Sequence, residues 1–457
     1  MNDQTADWIR RPKLEKIEKE NPYKMYGLSR NPFPDRASIV IGGGYDLPYL
    51  PDLRAEEEDQ FERLMIPSPE HPRPRTICFL MDFATRRGRG IGKTVFLNWQ
   101  RKRIMQDFGD SLTCGSHVLF AVHVMPVPGR TRKFWHFTEL LAETLNDQKV
   151  IAKALWRLRF FSGVIPDETL EKTIDDPEAT IGNDRWLRSQ GVDVDFRLAS
   201  NIRRQLEQGG VGSETAKSLA FSGHDPAAWR GRFLSQQSDY RWRNQGAELV
   251  FNDLVNLFTL AGFTRGLMLV DEVEKIVTKQ NIKERRTFVE LIRYYFVDGP
   301  CENTQQDFYG LLLTIHPYIQ ELLAPHWEAA GLDRFAPLSR ELADRYTVYF
   351  RPLQKDSAVP LVREYLNSAR MADEDDESLA PLDGAAVEEA LVLSGGVPGK
   401  MLKLLYEVVE KAVEEQWASI NAENIRRIAR TLPPEAPEED VDTEQLPPAD
   451  VDLTGRA

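Results

Sequence analysis

Cysteine is scarce in this chain of 457 residues: Cys78, Cys114 and Cys301 are the three. Three scattered thiols make neither a disulfide framework nor a zinc site. Long apolar runs are missing too, and none approaches the roughly 18 residues that a membrane helix needs. The first residues, Met1 to Asp7, lack the apolar centre of a signal peptide. Positive charge is in deficit, since 58 lysines and arginines face 71 aspartates and glutamates for a net charge of −13. Non-specific attraction to nucleic acid through global charge is therefore not expected. These shortages lead to the expectation of a cytoplasmic protein with no membrane span.

The deficit is uneven. After Leu432 stand Glu435, Glu438, Glu439, Asp440, Asp442, Glu444, Asp450 and Asp452 against Arg456 alone, about half of the excess. Residues 433–457 also lack apolar periodicity and are read as an acidic, disordered tail. The rest has an ordinary composition, 42% hydrophobic and 28% charged. The length predicts two or three domains with ample core.

The most informative stretch is Arg86-Arg87-Gly88-Arg89-Gly90-Ile91-Gly92-Lys93-Thr94-Val95. It approaches the phosphate-loop pattern G-x-x-x-x-G-K-[ST], with Arg87 in the place of the first glycine. Glycines let backbone N–H groups close around phosphate oxygens. Lys93 would face the β- and γ-phosphates, and Thr94 would offer its hydroxyl to Mg²⁺. The apolar run Thr76 to Met81 reads as the strand before the loop. Val95 to Lys102 reads as the helix whose N-terminus faces the phosphates.

Along the chain, residues 1–20 read as a polar N-terminal arm. Tyr26-Gly27-Leu28 and Asn31-Pro32-Phe33-Pro34 form a proline-stiffened turn that either covers a flat ligand with an aromatic ring or simply leads into the domain. Val118 to Val124 reads as a second buried strand, and Phe134 to Leu145 as a helix with one apolar stripe. Residues from about 150 to 245 break this rhythm and read as a mainly helical insertion. Within it, Trp229-Arg230-Gly231-Arg232-Phe233 and Tyr240-Arg241-Trp242-Arg243 interleave arginines with aromatics. That pattern suits stacking on nucleic-acid bases, or a helix packed through its tryptophans.

A second motif follows at Gly266-Leu267-Met268-Leu269-Val270-Asp271-Glu272, an apolar strand ending in two carboxylates. Asp271 would hold Mg²⁺, and Glu272 would orient the attacking water. A further apolar strand is read over Phe308 to Pro317, with polar residues at its end. Strand C-termini of a parallel sheet face the ligand, so Thr314 or His316 would reach the γ-phosphate or the water. A satisfied buried threonine and a helix-starting histidine are the alternatives.

Taken together, the strands, loop and acids predict an α/β P-loop sandwich with a parallel sheet. At this point the chain resembles the AAA+ ATPases, in particular the group of origin-recognition initiators and ExeA/TniB-type ATPases. Tyr26 to Leu28 with Asn31 and Phe33 is similar to that group's segment beside the adenine. His316 stands where ExeA-like proteins show glutamine before a proline. Ser339-Arg340 resembles the arginine-finger segment, with Arg334 and Arg345 as further candidates. Gly395-Gly396-Val397-Pro398-Gly399-Lys400 resembles the sensor-2 turn, with Lys400 in place of the usual arginine. The resemblance covers roughly 20–145 and 246–432 and leaves out the insertion.

It implies a core over 21–352, a small helical lid over 353–432, and ATP and Mg²⁺ as cofactors. In the lid, helices are expected over 360–370, with Pro360 at the first position, and over 385–393, 399–416 and 421–430. The implied activity is ATP hydrolysis that assembles a larger prokaryotic complex, one acting on DNA in replication, transposition or phage defence. The implied partners are other proteins, further copies of the chain and, through the body or the insertion, DNA. The rival readings are an ATP-gated scaffold with negligible hydrolysis and a secretion-type accessory ATPase.

Overall fold

The computed structural model describes residues 21–35, 49–82, 90–109, 117–172, 176–222, 226–299, 307–338, 345–371 and 378–432. The N-terminal arm, Gly88, Arg340, the acidic loop 372–377 and the tail lie outside these residues. Among the described residues two compact units are distinguished: one runs from 49 to 352, and the other joins 21–35 to 353–432.

The first unit is an α/β fold around five strands: β1 (Ile77–Asp82), β2 (Leu119–Val124), β3 (Arg265–Val270), β4 (Tyr309–Ile315) and β5 (Thr347–Phe350). Their order is β2-β3-β4-β1-β5, and every pairing is parallel. The first four strands are buried along their whole length. This is why they read as continuous apolar runs rather than as alternations: helices cover both faces of such a sheet. β5 escaped the sequence reading, because four residues of Thr-Val-Tyr-Phe make too short a run to stand out.

The path explains the layers. From β1 the chain crosses to the far edge at β2, returns through β3 and β4, and then passes over β1 to β5. Right-handed crossovers taken in opposite directions put their helices on opposite faces. Accordingly α2 (Lys93–Ile104), joined by α1 (Ala55–Met65), packs Phe96, Leu97, Phe61 and Met65 against Leu80, Leu269 and Leu312. On the other face α3 (Phe134–Asp147), α4 (Val150–Phe160) and the helices Ile282–Ile292 and Pro317–Ala329 pack against Phe79, Phe120, Met268 and Leu313. The change of direction occurs at β1; in open α/β sheets ligands bind at such a point, beyond the carboxyl ends of the strands.

The insertion is helical, with no strand among its described residues. It shares the core of the second face, contributing Trp156, Leu187, Trp229 and Trp242. Both tryptophans of the arginine–aromatic motif are thus core residues, 1% and 3% exposed, rather than platforms for bases. Arg230 pairs with Asp147 at 2.6 Å, and Arg243 lies over the Trp135 ring. Tyr240 is the aromatic of that motif left exposed.

Close packing makes one glycine indispensable. A Cβ on Gly266 of β3 would stand 2.3 Å from the Phe120 ring. Phe120 is held by Phe258 and Phe263, with centroids at 4.6 and 5.3 Å, so it has no room to retreat. Gly266→Ala is expected to destabilise the fold by about 1–3 kcal/mol, the usual scale for overpacking. Urea denaturation checks this, and a wild-type midpoint would contradict it.

The second unit corrects two expectations. First, 21–35 belongs with the C-terminal helices rather than with the sheet. Tyr26 Oη donates to the Trp417 carbonyl at 2.7 Å, and Asn31 Nδ2 donates to Glu410 at 2.7 Å. Second, the helix expected over 360–370 with Pro360 at its first position runs instead over Lys355–Asn367, so Pro360 lies inside it. A proline there removes the bond to the carbonyl four residues back. Burial decides the outcome, because Ala358, Leu361, Val362, Tyr365 and Leu366 form one continuous apolar stripe. The remaining helices, Gly384–Leu393, Pro398–Glu414 and Ala422–Ala429, lie within two residues of their expected bounds. Asp383 caps the first by accepting from the Ala386 N–H at 2.7 Å.

Candidate functional site

The loop between β1 and α2 ends in two glycines with left-handed backbone, Gly90 at φ 81° and Gly92 at φ 103°. Among the described residues a Cβ on Gly92 would meet only the Phe350 ring, at 4.0 Å. The glycine is therefore required by its dihedral and not by crowding. α2 starts directly after it, and Gly92, as the capping residue, brings no side chain to its first turn. The first N–H groups of a helix have no intrahelical acceptor, so this end of α2 offers donors and a positive dipole end to an anion.

Alternation along the strands decides what this helix end faces. Leu80 of β1, Ala121 of β2, Leu269 of β3 and Leu312 of β4 all point to the α2 face. With a period of two, Asp82, His123, Asp271 and Thr314 point to that same face. The strand order then sets them in a row across four neighbouring strand ends: His123, Asp271, Thr314, Asp82. All four are buried, between 0% and 3% exposed. A row of buried polar groups at one end of an otherwise apolar sheet is costly unless it is paired or used.

The two carboxylates of the row have partners. Thr94 Oγ1, on the first turn of α2, donates to Asp271 Oδ2 at 2.6 Å. His123 Nε2 lies 3.5 Å from the same oxygen. The Glu272 N–H donates to the other oxygen, Oδ1, at 2.9 Å. Lys93 Nζ stands 3.8 Å from Asp82 Oδ2. Among the described residues Thr314 Oγ1 has no hydrogen-bond partner.

The electrostatics follow from burial. Burial pulls the Lys93 ammonium below its usual range, against the carboxylates of Asp82, Asp271 and Glu274, which work to keep it charged. For Asp271 burial pushes upward, but the nearby His123 imidazole and the hydrogen bonds from Thr94 and the Glu272 N–H prevail and hold the carboxyl below its usual range.

Glu272 departs from the ordinary. Its φ is 48°, in the left-handed region where a non-glycine residue is uncommon, and such outliers gather at functional sites. Its carboxylate pairs with Lys275. Glu274 begins the short helix Glu274–Val277 and is half-buried. Burial raises its carboxyl from 4.5 to about 7; its own backbone N–H and Lys93 work against this, while Glu272 and Asp271 add to it.

Glu274 therefore binds a proton more tightly in the folded than in the unfolded chain between about pH 4.5 and 7. Stability from this group is full below that window and is lost as pH rises through it. Glu274→Gln cannot show this loss. The stability difference between variant and wild type is expected to move in favour of the variant by ~1–3 kcal/mol from pH 4 to pH 8. Urea denaturation at both pH values checks it, and an unchanged difference would contradict it.

The donor set suits one class of metal. A threonine hydroxyl and an aspartate carboxylate in contact are hard oxygen ligands, which fit Mg²⁺. Among the described residues no cluster of three His, Cys, Asp or Glu side chains could hold a metal by itself. Mg²⁺ sites of the phosphate-bound kind match this pattern, since waters and phosphates complete their coordination.

The other expected residues fall as follows. Ile91 is buried, and Val95 continues the first turn of α2. His316 immediately precedes the helix Pro317–Ala329, which has Pro317 at its first position, and makes no side-chain capping bond. It also follows β4, which lies between β1 and β3. Asn31 and Phe33 are engaged within the second unit, Phe33 against the Tyr365 ring at 6.2 Å. Lys400 is exposed near the start of its helix in that unit. Gly88 and Arg340 lie outside the described residues.

Sequence reasoning missed Asp82, His123 and Glu274. Asp82 and His123 were visible as polar residues within or closing apolar runs. Their importance depends on strand order, which no single run carries. No protein-family model matches this sequence, and no curated protein is detectably similar to it.

Proposed function

We propose that this chain is an ATP-binding, Mg²⁺-dependent P-loop protein of the AAA+ type, which uses binding and hydrolysis of ATP to assemble a larger complex. The observation that carries this reading is the Thr94–Asp271 hydrogen bond. It joins residues 177 apart in sequence at the start of α2 and the carboxyl end of β3, and both were read from sequence as magnesium ligands. In this account the backbone N–H groups of Gly92 to Val95 bind the phosphates and Lys93 neutralises them. Thr94 and Asp271 hold the metal, which when bound supplies charge neutralisation on the phosphate oxygens. Glu272 orients the attacking water, and Thr314 and His316, on the strand between the lysine and the aspartate, reach towards the terminal phosphate.

The proposal extends to self-assembly, with Arg340 completing the site of a neighbouring copy, and to partners that include DNA. Turnover should then rise with protein concentration. Arg340→Ala should lower it while leaving affinity intact, and mixing that variant with Lys93→Ala protein should restore some activity. An arginine finger is worth about 10³–10⁵ in rate where it has been measured. Full activity of Arg340→Ala, independent of concentration, would remove Arg340 from the site. A second reading, an ATP-gated scaffold with negligible hydrolysis, is favoured by the Lys275 pairing of Glu272. Single-turnover hydrolysis by the wild type separates the two.

A further inference from the structure

Arg54 is buried, 7% exposed, and its guanidinium ties together three parts of the first unit. Nη2 donates to the Ile91 carbonyl, inside the phosphate loop, at 3.0 Å. Nη1 donates to the Arg351 carbonyl, just past β5, at 2.7 Å and to Glu57 Oε1 at 2.9 Å. The guanidinium also lies over the Phe350 ring, 4.6 Å from its centroid. Glu57 is itself buried and accepts from the Arg351 N–H at 3.2 Å. One helical turn on, Gln60 accepts from the Tyr349 N–H at 2.9 Å.

A plain structural staple between α1 and β5 would need only Glu57, Gln60 and one arm of Arg54. The second arm goes elsewhere, to the carbonyl flanked by the two left-handed glycines. Holding the Ile91 carbonyl towards Arg54 fixes the peptide plane between Ile91 and Gly92. A carbonyl turned into the crevice would repel phosphate oxygens, whereas one held by a guanidinium cannot turn there.

We propose that Arg54 is the positioning residue of the phosphate loop. It keeps the Ile91 carbonyl out of the crevice, so that the N–H groups opening α2 face the phosphates of a nucleotide. This rests on the reading of residues 90–94 as a phosphate site. Only the planar fork of arginine serves two carbonyls and a carboxylate at once, so lysine does not replace it.

The test uses the full chain. Wild type, Arg54→Lys and the double variant Arg54→Gln/Glu57→Gln are titrated with Mg·ATP beside Lys93→Ala. The double variant avoids leaving a buried carboxylate unpaired. Amide hydrogen exchange is followed without nucleotide. Expected are an affinity loss of about tenfold in both Arg54 variants, the scale of one hydrogen bond, and faster exchange confined to the peptide holding residues 90–94. Wild-type affinity in a folded Arg54 variant would overturn the proposal. So would a melting temperature lowered by many degrees with exchange raised throughout and affinity unchanged, the mark of a purely structural arginine. If the wild type binds no Mg·ATP, or Lys93→Ala binds it as tightly, the phosphate-site reading falls and this proposal with it. Binding by wild type, loss in Lys93→Ala and no loss in the Arg54 variants would overturn the Arg54 role alone.

Discussion

Glu272→Gln is expected to keep the affinity for Mg·ATP and to lower hydrolysis by about two orders of magnitude or more, the usual scale for losing a group that handles the attacking water's proton. The substitution preserves size and removes only the charge. The strained φ of 48° at this position is common to both residues, so the backbone has no reason to relax. Asp271 keeps its partners Thr94 and His123, because none of those contacts involves the Glu272 side chain. Binding and turnover should therefore separate. Steady-state hydrolysis beside calorimetric titration measures both, and equal turnover in the variant would exclude Glu272 as the residue that orients water.

Lys93→Ala has the second large effect. Lys93 is buried, with Asp82 at 3.8 Å and Asp271 and Glu274 around it. In the proposed site its removal takes away a cation that faces the phosphates, and it leaves the carboxyl groups of Asp82, Asp271 and Glu274 around them. Affinity for Mg·ATP is expected to fall below detection by calorimetry. The variant should still fold, because Phe96, Leu97 and Ile104 keep α2 packed in the core.

Much of the fold was legible because buried parallel strands announce themselves. The stretches leading to Met81, Val124, Val270 and Ile315 are mostly apolar, with His123 and Thr314 among their few polar residues, and each became a strand. β5 was not legible, since it is short and its partner β1 is more than 260 residues away. Pro360 misled because local chemistry favours a proline at a helix start, while the apolar stripe from Ala358 to Leu366 required the helix to begin earlier. The pair Thr94 and Asp271 was readable from two motifs. Arg54, Asp82 and His123 were not, because their roles come from strand order and from contacts across the chain. The opening segment 21–35 carried a resemblance in its residues but no sign of which unit it would join; Tyr26 and Asn31 settle that by bonding to Trp417 and Glu410.

The central claim is that residues 90–94 and Asp271 form one nucleotide–magnesium site. Its most direct test is calorimetric titration of the wild-type protein with ATP, once with Mg²⁺ and once with a chelator, and again for Asp271→Asn. The account predicts saturable binding to the wild type that is tightest with Mg²⁺, and a magnesium effect that is lost in Asp271→Asn while magnesium-free binding remains. No binding of ATP under either condition, or an undiminished magnesium effect in Asp271→Asn, would contradict it.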